Sequence, residues 1–276
     1  MGADMGAGDG GRTGIEGLSA LVTGGGSGIG FGAAQRLVAD GAHVTICGRT
    51  EERLKDAVSQ LAGLGAADYV VADVRVEEQV VHAVATASAR TGRLDILFAN
   101  AGGSFHMGPL ADADLEAVRA TVDVNLIGTF LCLKHAAPVM TAGVAGGEGG
   151  SMVGMSSGAG HFPHRYLWAY GAAKAAVDML CRSAAEELGP LGIRVNTVQP
   201  GIVDDELMAP ITAGGPLLDD YLAEMPVSRL GRVEDIAAAV RFLAGPESSW
   251  ITGDNLAVDG GHHLRRGANY GLLFGQ

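Results

Sequence analysis

The sequence predicts an α/β fold: a doubly wound, seven-stranded parallel sheet with helices on both faces. Three observations carry that prediction. Short apolar runs alternate with longer helical patterns along the chain. Stretches such as Leu94-Asp95-Ile96-Leu97-Phe98-Ala99 are nearly continuous in hydrophobicity, as parallel strands covered on both faces are. The first run, Leu18-Ser19-Ala20-Leu21-Val22, passes through a glycine-dense turn straight into a helical segment.

The elements follow in order. Strand 18–23 ends in Thr23-Gly24-Gly25-Gly26-Ser27-Gly28-Ile29-Gly30, and helix 28–40 begins there. Glycines allow positive φ and close approach of a pyrophosphate, while the free N–H groups opening the helix supply a positive pole. Gly24, Ser27, Gly28, Ile29 and Gly30 are therefore candidate dinucleotide contacts in a Rossmann-like turn. Strand 42–47 leads through Cys47-Gly48-Arg49-Thr50 to helix 50–62, and strand 68–72 is followed by Asp73, Val74 and helix 76–91. Strand 94–99 opens onto Asn100-Ala101-Gly102, and helix 112–140 carries Asn125. The glycine-rich stretch 143–150 is expected to be a surface loop without chemistry of its own. Strand 151–156 delivers Ser157, and helix 168–188 carries Tyr170 and Lys174. Strand 193–198 runs into Pro200-Gly201-Ile202-Val203, after which helix 232–244 and strand 255–258 complete the sheet. Ligands in such sheets bind beyond the carboxyl ends of the strands, where Gly24, Asp73, Asn100, Ser157 and Pro200 all fall. The segment 205–226, with Pro210, Gly214, Gly215 and Pro216 among apolar residues, is long for a plain connection. It is expected to be a lid over a substrate or a fixed flap.

Size and charge narrow the function. With 276 residues and 47% hydrophobic content the chain can bury a sizeable core, and 17–276 is expected to be a single domain after a disordered glycine-rich tail at 1–16. A balance of 31 acidic to 19 basic residues, net −12, argues against nucleic acid and anionic membranes as partners. Cys47, Cys132 and Cys181 are odd in number and lie in apolar segments, which fits reduced core thiols better than a disulfide framework. No apolar stretch reaches the roughly 18 residues of a spanning helix, and no secretory signal is visible, so a cytoplasmic location is expected.

Tyr170 and Lys174 stand one helical turn apart on one face. A neighbouring cation favours an ionised phenol, so Lys174 is expected to draw Tyr170 below its free value of about 10, where it can exchange protons.

With these residues placed, the chain resembles the short-chain dehydrogenase/reductase family from about residue 17 to residue 261. Gly24, Gly28 and Gly30 match that family's Gly-x-x-x-Gly-x-Gly turn, and Asp73-Val74 the pair flanking adenine. Asn100-Ala101-Gly102 follows strand four as the family expects, and Pro200-Gly201, with Val203 beyond, fits its turn near the nicotinamide. Asn125, Ser157, Tyr170 and Lys174 fall in the order of its catalytic tetrad, with Ser157 and Tyr170 thirteen residues apart. The resemblance implies hydride transfer between a nicotinamide and a small-molecule alcohol or ketone. Tyr170 would be the general acid/base, Lys174 a partner to Tyr170 and the ribose, Ser157 a donor to the substrate oxygen, and Asn125 the holder of a relaying water. No metal is expected.

Gly48 stands where NAD-selective members usually place an acid, and Arg49 beside it suits a 2′-phosphate, so NADP(H) is favoured and NAD(H) stays possible. Ser27 lacks the basic character that some NADP-binding members show at that position. Asp205 occupies a place where a Thr commonly meets the carboxamide. His161, Phe162, His164, Arg165, Tyr166 and Trp168 should border the substrate, as a wall for a bulky apolar ketone or an anionic acyl group, or pack on a neighbouring subunit. Helices 112–140 and 168–188 form the seam of dimers and tetramers in the family, so a homotetramer is expected. The stretch 260–276 reaches another subunit's pocket or stays loose. A catalytically silent dinucleotide-binding sensor or scaffold is the alternative, although such relatives typically lose the Tyr or the Lys. An enoyl reductase ranks last, because that group spaces the two farther apart and Leu167 holds the position seven before Lys174.

Overall fold

Apolar residues three and four apart in Ala34, Leu37 and Val38, and again in Val80, Ala83, Val84 and Ala87, give helices a single buried stripe to lay on a sheet. The computed structural model describes residues 14–141 and 149–275. In chain order the elements are β1 (Ser19–Thr23), α1 (Gly28–Ala39), β2 (His43–Gly48), α2 (Glu51–Leu61), β3 (Ala67–Val71), α3 (Glu77–Ala89), β4 (Ile96–Ala99), α4 (Leu115–Val122), α5 (Gly128–Thr141) and β5 (Ser151–Met155). They continue with α6 (Trp168–Leu188), β6 (Arg194–Pro200), β7 (Val203–Asp204), α7 (Ala209–Thr212), α8 (Pro216–Glu224), β8 (Gly231–Arg232), α9 (Val233–Ala244) and β9 (Asn255–Val258).

Seven strands pair in parallel in the order β3-β2-β1-β4-β5-β6-β9, as the apolar runs predict. One face buries Leu37, Leu54, Ile236 and Val240 from α1, α2 and α9. The other buries Val84, Leu131, Met140 and Val177 from α3, α5 and α6. Each such aliphatic side chain contributes about 1.5–3 kcal/mol on burial. Strand order reverses between β1 and β4, so their carboxyl ends diverge and open the crevice where a ligand binds in this architecture.

Four local readings change. The expected helix 112–140 is broken: α4 starts at Leu115, and a π-helical turn, Asp123–Ile127, separates it from α5. β4 begins at Ile96 rather than at 94, and just before it the buried Asp95 bonds to Ser19 through both backbone and carboxylate, the latter accepting from the Ser19 N–H at 2.8 Å. Segment 205–226 folds into α7 and α8, and β7 pairs with β8 in a separate two-stranded ribbon. Of the glycine-rich tail, residues 1–13 lie outside the described residues; Ile15 is fully buried in the core, so packing starts inside the stretch expected to be disordered. Most of 143–150 also lies outside the described residues.

Candidate active site

The carboxyl end of β1 is fastened to that of β4 by Thr23. Its hydroxyl accepts from the N–H groups of Asn100 and Ala101 at 2.9 and 3.0 Å, and the Asn100 amide returns a bond to Thr23 O at 2.8 Å. Asn100 thus shapes the glycine turn rather than projecting away from it. Gly24 and Gly28 take φ of +66° and +51°. A Cβ on Gly30 would lie 2.3 Å from Gly24 O, so only glycine lets α1 approach the turn this closely. Ser27 is the N-cap of α1, its side chain making no capping bond, so the first N–H groups of the helix face the crevice side of the turn. Ile29 is partly buried behind them. This cradle fits a dinucleotide pyrophosphate.

Asp205 is close to the same place. A Cβ on Gly28 would lie 2.9 Å from Asp205 Oδ2, while Oδ1 accepts from the Met208 N–H at 2.9 Å. The carboxylate therefore sits at the positive pole of α1 instead of pointing away. Arg53 and Glu206 tie α2 to the same segment at 2.9 Å.

At the adenine end, Asp73 is gripped by Arg75, with Nε to Oδ1 at 3.0 Å and Nη2 to Oδ2 at 2.6 Å. The Arg75 guanidinium holds the carboxyl below its ordinary range, and exposed Arg49 adds a smaller pull in the same direction. Val74 turns into the core, where a Cβ on Gly128 would meet its Cγ2 at 2.7 Å. Pro200 ends β6, Gly201 donates to Val258 O at 3.2 Å, and Val203 is buried in the first core face. These three close the carboxyl end of β6 against β9 and the core.

Asn125, Ser157, Tyr170 and Lys174 come together from three elements: the π-helical turn, the end of β5 and α6. Asn125, fully buried, bonds to Thr121 O and to Gly103 O, both at 2.7 Å, and accepts from the Gly103 N–H at 3.3 Å. Its side chain takes the i−4 carbonyl that its own N–H would use in a regular helix, which accounts for the π turn. A Cβ on Gly102 would be 2.5 Å from Asn125 Oδ1 and 3.2 Å from Lys174 Nζ, so this bare glycine lets both groups meet. Ser157 leaves β5 and caps a 3-10 turn, Gly158–Gly160. Gly160 and Gly171 allow that turn to lie directly on α6, with added Cβ atoms 2.8 Å from Ala175 N and 2.7 Å from Ala159 O respectively.

The electrostatics differ from the spacing argument. Burial pushes the Tyr170 phenol up to about 12; a hydrogen bond with Ser157 draws it part-way back, and Tyr270 nearby pushes it up. The Lys174 ammonium donates to Met155 O at 2.7 Å and lies 5.4 Å from the Tyr170 ring centroid, and burial brings it down to about 8. In this arrangement Tyr170 is a firmly protonated phenol.

A third apolar cluster roofs the site, joining Leu217, Tyr221 and Met225 of the 205–226 segment to Ala268 and Tyr270, with Tyr170 packed against it. The carboxyl-terminal stretch therefore folds onto its own chain. Phe162 and His164 join this roof at a ring separation of 5.1 Å, while the Tyr166 hydroxyl, near the surface, accepts from Arg165 at 3.2 Å. Thr23, Tyr221, Tyr270 and His262 are the residues that sequence reasoning missed. Thr23 was visible as the hydroxyl ending β1; the others have no local signal.

A family model described as Enoyl-(Acyl carrier protein) reductase matches residues 24–263. The trans-4-hydroxycyclohexanecarboxylate dehydrogenase of Sinomonas cyclohexanicum is 39% identical, over 88% of this chain and 91% of its own. A short-chain type dehydrogenase/reductase structure from Mycobacterium ulcerans superposes with a TM-score of 0.91 at 44% identity, covering 94% of both chains. A short chain dehydrogenase from Burkholderia cenocepacia J2315, solved in complex with NADP, gives 0.82 at 37% identity over 90% of this chain and 98% of that one.

Proposed function

Because the chain belongs to the short-chain dehydrogenase/reductase family and is an NAD(P)-dependent oxidoreductase, we propose that it interconverts a secondary alcohol and a ketone, with Tyr170 giving or taking the oxygen's proton. The observation that carries this reading is the meeting of Ser157, Tyr170, Lys174 and Asn125 beside the glycine cradle. A bound nicotinamide supplies or accepts the hydride. Gly24, Ser27, Gly28, Ile29 and Gly30 hold the pyrophosphate, Asp73 and Arg49 border the adenosine, and Gly102 and Gly201 leave room near the reacting ring. Tyr170, kept neutral by burial, donates to a ketone oxygen as negative charge develops there. Ser157 donates to the same oxygen and stabilises that charge. Lys174, still largely charged at neutral pH, offsets the phenolate that forms when the proton leaves. Asn125 fixes the π turn and lines the exit for the proton.

Arg49 with Gly48 favours NADP over NAD. The four-residue spacing of Tyr170 and Lys174 favours carbonyl chemistry over the double-bond reduction named in the family model's description. A homotetramer in the cytoplasm completes the reading, and the buried, unpaired Cys47, Cys132 and Cys181 suit a reducing compartment. Among the described residues no helix is long and apolar enough to cross a membrane.

The test is a panel of secondary alcohols and ketones with each cofactor, followed by the absorbance of reduced nicotinamide. Tyr170→Phe is expected to lower turnover by about 10²–10⁴-fold or more while cofactor affinity stays nearly unchanged. Turnover that survives the substitution removes Tyr170 from the proton-donor role.

A further inference from the structure

Two segments outside the sheet cover Tyr170, and they are fastened to each other. Asp220 of α8 accepts from the Asn269 N–H at 2.7 Å and pairs with the Arg266 guanidinium. One residue on, the Tyr221 hydroxyl meets the Tyr270 hydroxyl at 2.9 Å. Both tyrosines are almost wholly buried, at 5% and 4% exposure, within the cluster against which Tyr170 packs. Their rings are set by edge contacts, His262 at 5.4 Å from Tyr221 and His164 at 6.1 Å from Tyr270. These are rigid walls facing the reaction site.

Two hydroxyls bonded to one another use one proton between them, and the other O–H remains to donate onward. Either hydroxyl can be the donor within the pair, and both tyrosines lie close enough to Tyr170 for the phenols to influence one another. Among the described residues no charged side chain bonds to either hydroxyl. Burial takes His164 down to about 4 and also lowers His262, so both imidazoles are neutral at pH 7. Arg266 is committed to Asp220 and Glu224. A carboxylate or phosphate here would meet the negative field of Asp220, whereas an uncharged oxygen would meet a buried donor in need of an acceptor.

We propose that Tyr270 is a substrate-binding residue: its hydroxyl, held by Tyr221, donates to a second, uncharged oxygen on the substrate, so that the enzyme selects hydroxy-ketones and diols over ketones and alcohols with a single oxygen. The inference rests on Tyr170 serving the first oxygen. It also replaces the anionic acyl group that the aromatic and basic loop suggested from sequence. Tyr221 acts through Tyr270 and is a positioning residue.

The experiment compares kcat/KM for two matched pairs, 2-hydroxycyclohexanone with cyclohexanone and 3-hydroxybutan-2-one with butan-2-one, in the wild-type chain, Tyr270→Phe and Tyr221→Phe. A site built to bond an oxygen discriminates strongly against its absence, so the wild type is expected to prefer the hydroxylated member by roughly 10- to 100-fold or more. Tyr270→Phe should collapse that ratio toward one. Tyr221→Phe should reduce it part-way, chiefly through KM. An unchanged ratio in Tyr270→Phe, no preference in the wild type, or no turnover across both pairs overturns the proposal. The reading of Tyr170 is judged separately, since Tyr170→Phe must still abolish turnover of whichever carbonyl the wild type accepts. Melting temperatures of the two phenylalanine variants report any general loss of fold, which would lower rates on both members of a pair and leave their ratio intact.

Discussion

Arg49 stands exposed at the end of β2, close enough to Asp73 to pull on its carboxyl, in the region proposed to border the adenosine ribose. A charged hydrogen bond to a 2′-phosphate contributes about 1.5–3 kcal/mol, so Arg49→Ala is expected to weaken NADP roughly 10- to 100-fold and NAD very little. Fluorescence titration with both cofactors checks this, and equal losses would remove Arg49 from selectivity. His164 is expected to contribute to acid stability. Burial holds its imidazole at about 4 against the ordinary 6.5, so on acidification the unfolded chain takes up a proton first. The contribution of His164 is complete above about pH 6.5 and is lost as pH falls toward 4, by up to about 3 kcal/mol. His164→Gln should flatten the decline in melting temperature between pH 6.5 and 4.5; a decline parallel to wild type would show that other groups set it. At this scale the meeting of Ser157, Tyr170 and Lys174 was legible, because motif spacing places them together. Their protonation was not, since the pull of Lys174 on Tyr170 depends on where the ammonium points, and Met155 O takes it.

The connection after β6 brings Asp205 to the opening turn of α1, where its carboxylate occupies the pole a pyrophosphate would use. Like charges compete there, so Asp205→Asn is expected to tighten cofactor binding about 3- to 10-fold. Isothermal titration measures it; unchanged affinity would mean that the carboxylate swings clear at no cost. Outside 112–140 and 205–226, strands and helices were readable from apolar runs to within a residue or two, because a parallel sheet buried on both faces demands unbroken hydrophobicity. The π turn at Asp123–Ile127 was not readable. It depends on Gly103, a distant residue whose backbone occupies the Asn125 amide. α8 went unread although Leu217, Leu218, Tyr221, Leu222 and Met225 recur at helical spacing and face the roof cluster, because the prolines and glycines around them suggested a loop.

At the scale of the whole molecule, Leu115, Ile127, Phe130 and Met179 leave apolar surface on the helices α4 to α6 and the π turn, between 39% and 59% exposed. Such a surface favours association. Sedimentation equilibrium is expected to find a particle four times the 28.0 kDa chain, and Met179→Glu to dissociate it; a wild-type monomer at micromolar concentration would refute the tetramer. The doubly wound architecture was legible as a whole, whereas the return of the carboxyl-terminal stretch over the site was not, because no motif links Tyr270 to Tyr221. That return has a consequence for biosynthesis. Tyr270 follows every strand of the sheet, so a nascent polypeptide acquires its nucleotide cradle well before it acquires the wall that judges substrates. A product clipped just after Val258 would keep a grip on the dinucleotide and lose its discrimination among alcohols.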